Sequence, residues 1–301
     1  MGKQTKKLSD KIMLVTISIH QWYPRKKDPK ATAELANLHG VDPERAGNFH
    51  KILVDLKSIK PLQQRCRKLR DEHYEMTSPW GDNGERAMPA QIYFDYVEMM
   101  REAIQEIDAL ADAYEVEYSN EVDKARSELN GMFNEADYPA PHEMRSRFSV
   151  DYRFEPVANA DDVRVWGLGD AAAKEIEEEV RTATENRIAD AQNHVIRQVV
   201  ERAREFIEKV QHFDEQVYND VKGPRLYDSA IANLRDVMTL VLSGMNFTGD
   251  QELTKLCKDL QKSLKGVHTT GLKNSKSTRD DSTEAVEAVL EKSLEKFRGV
   301  F

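Results

Sequence analysis

Two long apolar stripes constrain this chain more than any other feature. From Pro89 to about Leu129, apolar side chains recur at alternating gaps of three and four: Ile92, Tyr96, Met99, Ala103, Ile107, Leu110, Tyr114, Tyr118, Val122, Ala125 and Leu129. That spacing is one face of an α-helix, and at 1.5 Å per residue such a helix reaches ~60 Å. From Asp170 to about Val221 a second stripe follows (Ile176, Val180, Ala183, Ile188, Ala191, Val195, Val199, Ala203, Phe206, Val210, Phe213, Val217), with neither glycine nor proline. Helices of this length need a partner along the apolar face. The stripes pair with each other as an antiparallel hairpin, or with the same helix of another copy, and the sequence leaves both open.

Two segments have the period of a strand instead. In Ile12-Met-Leu-Val-Thr-Ile-Ser-Ile19, Met13, Val15, Ile17 and Ile19 share a face, opposite Leu14, Thr16, Ser18 and His20. Phe148, Val150, Tyr152 and Phe154 alternate in the same way with Ser149, Asp151 and Arg153. Both predict half-buried strands, joined as a small antiparallel sheet over 12–20 and 147–156. Asp162–Trp166 predicts a short third strand. Asp42-Pro43 predicts a helix start, with helix to about Ser58, a break near Pro61 and helix again over 62–74. The turn-rich stretch Met76–Met88 predicts a loop.

After Gly223-Pro224, shorter helices are expected at about 225–243 and 251–265, the second capped by Asp250. Gly266–Thr283, rich in Ser, Thr and Lys, predicts a flexible linker. A last amphipathic helix carries Val286, Val289, Leu290, Leu294 and Phe297. The expected fold is therefore mainly α (α+β): a long antiparallel helical hairpin, a small antiparallel sheet and a helical C-terminal part. The expected division is 1–223, 224–265, a linker at 266–283 and a terminal helix at 284–301.

Charge and cysteine content bound the function classes. Two cysteines, Cys66 and Cys257, are too few for a disulfide framework and lack zinc-ligand spacing, so both are expected reduced, buried and inert in a cytoplasmic protein. Lys3, Lys6 and Lys7 before the apolar run imitate a signal peptide, but the run is short and His20–Lys27 replaces a cleavage site. Gly2 lacks the Ser or Thr at position six that myristoylation wants. No apolar stretch is long enough for a membrane span.

No catalytic signature stands. Gly167-Leu-Gly169-Asp-Ala-Ala172 matches G-x-G-x-x-A, but no βαβ unit with its later acidic residue follows, so a glycine turn with Asp170 as helix cap is the expected reading. Asp190 and His194, four apart on a helix, are spaced to share a metal, though a solvated charged pair explains them better. His142-Glu143 lacks the second histidine of a zincin, and neither G-x-S-x-G nor GxxxxGK[ST] occurs. The expectation is a non-enzyme with no cofactor and no metal.

The formal charge is −9, unevenly placed. Residues 1–30 carry +6, residues 253–279 carry +6 and residues 31–252 carry −18. In the helix at 251–265, Leu253, Leu256, Leu260 and Leu264 cluster on one side and Lys255, Lys258, Lys262 and Lys265 almost opposite. The lysines are a solvated face, or a docking face for phosphate or an acidic partner, with Lys273, Lys276 and Arg279 following. Arg25, Lys26 and Lys27 form the other basic candidate. Trp80, in its Gly/Asn/Pro-rich connection, is tucked under the loop or exposed as a contact residue.

Several stretches resemble one another's counterparts in a known family. Met13-Leu-Val-Thr-Ile-Ser-Ile-His-Gln-Trp-Tyr-Pro-Arg-Lys-Lys27, Met88–Tyr96, Gly131–Pro139, Met144–Tyr152 and Met245-Asn-Phe-Thr-Gly-Asp250 are similar to segments of a proteobacterial and phage domain-of-unknown-function family, over most of 12–265. The resemblance implies a phage or mobile-element product encoded near MoxR-type AAA+ ATPases and von Willebrand A proteins, with no assigned reaction. The expected function is a non-enzymatic phage accessory protein of the host cytoplasm that forms homo-oligomers and binds a protein partner, an AAA+ machine or a host factor. The alternative is a DNA-binding or single-strand-handling protein using its basic terminal segments, with weak binding at physiological salt.

Overall fold

The computed structural model describes residues 11–157, 170–213, 226 and 228–301. Its chain forms two compact units, each discontinuous in sequence: one of residues 1–16, 73–96 and 153–301, the other of residues 17–72 and 97–152. The fold is mainly α with a small antiparallel sheet and a helical C-terminal part. The predicted strand at 162–166 and the Gly167-Leu-Gly169 turn lie outside the described residues, as does the end of the second long stripe beyond Phe213.

The four-stranded sheet has the order β4-β5-β1-β6, with β1 at Ile12–His20, β4 at Ser78–Pro79, β5 at Arg86–Pro89 and β6 at Ser149–Pro156. β1 pairs antiparallel with β5, Ile12 opposite Pro89 through Val15 opposite Arg86. The predicted 76–88 loop thus contributes a hairpin. In its first half β1 buries residues of both alternating sets. Leu14, placed by alternation on the open face, is buried together with Val15; further along, Ser18 and His20 are exposed as alternation predicts.

The long helix α6 (Asp170–Gln211) has 42 residues. No side chain is buried over 171–187, and burial starts at Ile188 and continues through Val195, Val199, Ala203, Phe206 and Val210. These residues pack against α7 (Ser229–Leu240) and α10 (Lys276–Leu294), and α10 also packs on α8 (Gln251–Ser263). Where a flexible linker is expected at 266–283, the structure has α9 (Thr269–Asn274) and the first half of α10. The correction has a physical cause. Arg279, Ser282 and Thr283 are buried, and each spends its donors on backbone carbonyls: Arg279 Nη1 on Leu272 at 2.7 Å, Ser282 Oγ on Thr278 at 2.6 Å, Thr283 Oγ1 on Arg279 at 3.0 Å. A polar sequence can fold this way when its groups are satisfied inside.

α7 runs into a π turn at Val241–Met245. A Cβ on Gly244 would come within 3.0 Å of the Ile92 side chain and 3.3 Å of Gln91. Glycine is needed there for close approach.

The smaller unit is built on α4 (Tyr93–Leu129, 37 residues) and α3 (Leu56–Glu75). Its core includes Ile59, Leu62, Cys66, Met100, Ala103, Ile107 and Tyr118. Tyr118 meets the Trp22 ring edge-on at 5.7 Å and donates its hydroxyl to the Pro139 carbonyl at 3.1 Å. Arg145 reaches Asp108 and Asp112 on α4, both at 2.6 Å. The helix expected over 43–58 is only α2 (Pro43–Ala46), because Gly47 at φ +85° turns the chain into β3 (His50–Ile52). β3 pairs antiparallel with β2 (Arg25–Lys27), and α1 (Pro29–His39) lies between β2 and α2 in sequence. Pro61 sits inside α3 rather than breaking it.

Candidate functional site

Helix α8 carries the strongest sequence-predicted surface. Asp250 caps its N-terminus, accepting from the backbone N–H of Glu252 at 2.7 Å and Leu253 at 3.1 Å, as sequence predicts. Asn246 steadies the cap, its Oδ1 accepting from the Asp250 N–H at 2.8 Å and its Nδ2 donating to the Asp250 carbonyl at 2.7 Å. At the far end Arg235 Nη2 donates to the carbonyls of Leu264 at 3.0 Å and Val267 at 2.7 Å, satisfying acceptors that a helix end leaves open. Leu253, Leu256, Leu260 and Leu264 are fully buried. Lys255, Lys258, Lys262 and Lys265 are all exposed, and among the described residues none forms an ion pair. At 100° per residue Lys255, Lys258 and Lys262 fall in a wedge of about 60° and span about 10 Å along the helix, and Lys265 follows two residues past its end.

The second cationic surface is the β2–β3 ribbon in the smaller unit. Arg25, Lys26 and Lys27 are exposed, and Arg25 lies opposite Ile52, Lys26 opposite Lys51 and Lys27 opposite His50. Lys51 turns inward: it is 6% exposed, 2.8 Å from Asp137 and 3.8 Å from Asp28, and donates to the Met132 carbonyl at 2.6 Å.

Trp80 is buried, 7% exposed, and its backbone N–H donates to the Glu85 carbonyl at 3.1 Å.

Asp190 is exposed, whereas Nε2 of His194 is buried without a hydrogen-bond partner. Among the described residues no group of three or more His, Cys, Asp or Glu side chains is placed to hold a metal ion. Cys66 and Cys257 are buried free thiols, and burial raises both, Cys257 to about 12.

One polar cluster escaped sequence reasoning. His73 is buried, with Nδ1 hydrogen-bonded to the Tyr96 hydroxyl at 2.8 Å. Thr77 Oγ1 donates to the His73 carbonyl, and Arg86 donates through Nε to Thr77 Oγ1 at 2.6 Å and through Nη2 to the Thr77 carbonyl at 2.7 Å. Burial, then the Arg86 charge, lowers His73 to about 4, and burial with Arg86 and Arg197 lowers His194 to about 4. The signal was available, because His73 continues the three-and-four spacing of Ile59, Leu62, Cys66 and Leu69 along α3. A cleft of about 400 Å³ in the same unit joins apolar Met76, Val237 and Leu240 to Arg202, whose guanidinium is held by Glu75 at 3.3 Å and Glu205 at 3.2 Å.

Comparison with protein-family models, with curated proteins and with solved structures finds no match to this chain. Among the described residues no helix is long and apolar enough to cross a membrane.

Proposed function

We propose that this protein is a non-enzymatic phage accessory protein that self-associates and docks an acidic surface of a protein partner on helix α8. One observation carries the reading: Lys255, Lys258 and Lys262, exposed and unpaired in one row on a helix fixed at both ends and backed by buried Leu253, Leu256 and Leu260, with exposed Lys265 two residues past the helix end. Charges held on a rigid scaffold attract an acidic partner at long range and suppress basic ones. The resembled family's gene neighbourhood makes an AAA+ ATPase the first partner to test, with a host factor as the second. Support for self-association comes from α6, where Ile176 and Val180 stay half-buried and no side chain is buried over 171–187.

The test is a pull-down from infected cells with the full chain and with Lys258→Glu/Lys262→Glu, whose changed side chains are exposed. Capture of a partner by the wild type, weakened by added salt and lost in the double variant, supports the reading. Equal capture by both proteins overturns it. Tight binding of duplex DNA at about 150 mM salt, abolished by the same reversal, replaces it with the nucleic-acid reading. Light scattering that gives a 34.5 kDa monomer refutes self-association.

A further inference from the structure

The β2–β3 ribbon presents a face whose composition differs from the lysine row. Lys51 and Leu53 point inward, and Pro24, whose carbonyl accepts from the Leu53 N–H at 2.9 Å, is buried with them. Side chains alternate along a strand, so the opposite face consists of Arg25 and Lys27 from β2 and His50 and Ile52 from β3, and all four are exposed. Tyr23, two residues before Arg25, is 61% exposed, and its hydroxyl accepts from Gln21 Nε2 at 2.7 Å, which restrains the ring. Ile52 and Phe49 are also exposed.

The positive charge on this face is not neutralised from within. Asp28, the acid next in sequence, accepts from the Ala31 N–H at 3.0 Å as the cap of α1 and faces the ammonium of Lys51. Asp42 likewise caps α2, accepting from the Glu44 N–H at 2.9 Å. Arg25, Lys26 and Lys27 form no ion pair among the described residues. The ribbon therefore sets two unpaired cationic side chains on one strand face, their backbone positions about 6.8 Å apart, next to an exposed isoleucine, with an exposed tyrosine two residues ahead in the chain across the Pro24 turn.

From this we infer that the outer face of the β2–β3 ribbon binds single-stranded nucleic acid, with Arg25 and Lys27 on consecutive phosphates and a base stacked on Tyr23. An acidic peptide would use the cations but leaves the aromatic ring unexplained. A duplex keeps its bases stacked on one another and offers the ring no free face. A single strand uses both halves of the surface. This site lies in a different unit from α8 and does not depend on the docking reading above.

The test is fluorescence anisotropy of the full chain with a short labelled oligothymidylate, with the same sequence as a duplex, and with anionic vesicles as competitor. Two neutralised phosphates on a single strand give a slope of about 1.4 in log affinity against log salt, so affinity should fall about sevenfold between about 50 and 200 mM salt. Arg25→Glu/Lys27→Glu should abolish both binding and slope, and the milder Arg25→Gln/Lys27→Gln should flatten the slope. Tyr23→Ala should weaken binding about fivefold or more with the slope unchanged. All of these positions are exposed, and unchanged circular dichroism and melting temperature would confirm folding. Three results overturn the inference: no binding at about 50 mM salt, equal affinity for duplex with Tyr23→Ala silent, or displacement of the strand by vesicles that themselves bind through Tyr23.

Discussion

Acidification from pH 7 to pH 5 should destabilise the larger unit through two histidines. His73 and His194 are held neutral, mainly by burial and secondarily by the Arg86 guanidinium, at about 4 against an ordinary value of 6.5. In the unfolded chain both would titrate near 6.5, so between pH 6.5 and 4 the unfolded state binds more protons and stability rises with pH. The contribution is complete above pH 6.5 and lost as pH falls to 4. For a group moving from 6.5 to 4, the loss between pH 7 and 5 is about 2 kcal/mol, so two independent histidines give about 4 kcal/mol. That is a large share of a typical folding free energy of about 5–15 kcal/mol.

The window is chosen because carboxylates titrate below it. Urea unfolding, followed by tryptophan fluorescence and far-ultraviolet circular dichroism at pH 7, 6 and 5, gives the slope directly. His194→Leu leaves no hydrogen bond unmade, because the Nε2 of His194 has no partner. It should remove about half of the pH dependence, and adding His73→Gln should remove most of the rest. A wild-type free energy that changes by less than about 1 kcal/mol across the window would refute the argument. So would a double variant that keeps the full slope.

Three further perturbations test the packing. Gly244→Ala should cost about 1–3 kcal/mol, since its Cβ meets Ile92 at 3.0 Å and overpacking displaces neighbours, and it is read as a shift of the urea midpoint with unchanged slope. Lys51→Met should cost about 3–5 kcal/mol, because it leaves Asp28 and Asp137, 15% and 12% exposed, without their cation; faster amide exchange in β2, β3 and α1 would report the loss locally. Cys66 and Cys257 should resist a thiol reagent at pH 8 until urea unfolds the chain, since both are buried with raised thiols, and prompt reaction in native buffer would contradict the packing around α3 and α8.

What was legible in the sequence follows from what apolar periodicity can encode. Helix α8 was readable in its start and its buried face, because Asp250 marks the first and its leucines and lysines occupy opposite faces, though it ends at Ser263 rather than at 265. The stripe of α6 was readable as a buried face, but a stripe does not name its cover, which is α7 and α10 within the same unit. The helix at 269–274 and the first half of α10 were invisible, although the second half was expected as a terminal helix, because their interior contains Arg279, Ser282 and Thr283, which hydropathy assigns to solvent. His73 was missed for the same reason: its partner, the Tyr96 hydroxyl, is 23 residues away and belongs to another helix. The β2–β3 ribbon has three residues per strand, too few for alternation to register, and its inward-facing residue is a lysine.

The same comparison shows why segment charge is a poor guide to a surface. Arg279 contributes to the +6 of residues 253–279, yet it is buried, with Nη1 donating to the Leu272 carbonyl and the guanidinium 5.2 Å from the centre of the Phe213 ring. Lys51, which sequence gives no reason to separate from Lys26, is consumed by Asp28 and Asp137. The removal works in both directions, because by engaging Lys51 and the α1 cap Asp28 also ceases to offset Arg25 and Lys27. What can attract a partner is the charge left after internal pairing. Of the basic residues singled out in the sequence, that measure keeps Lys276, the lysines at α8 and the cations of β2; the last two groups lie on different units, and Tyr23 is two residues ahead of the second in the chain. The two should therefore separate in experiment: salt alone governs what binds α8, whereas loss of the Tyr23 ring weakens what binds the ribbon at every salt concentration.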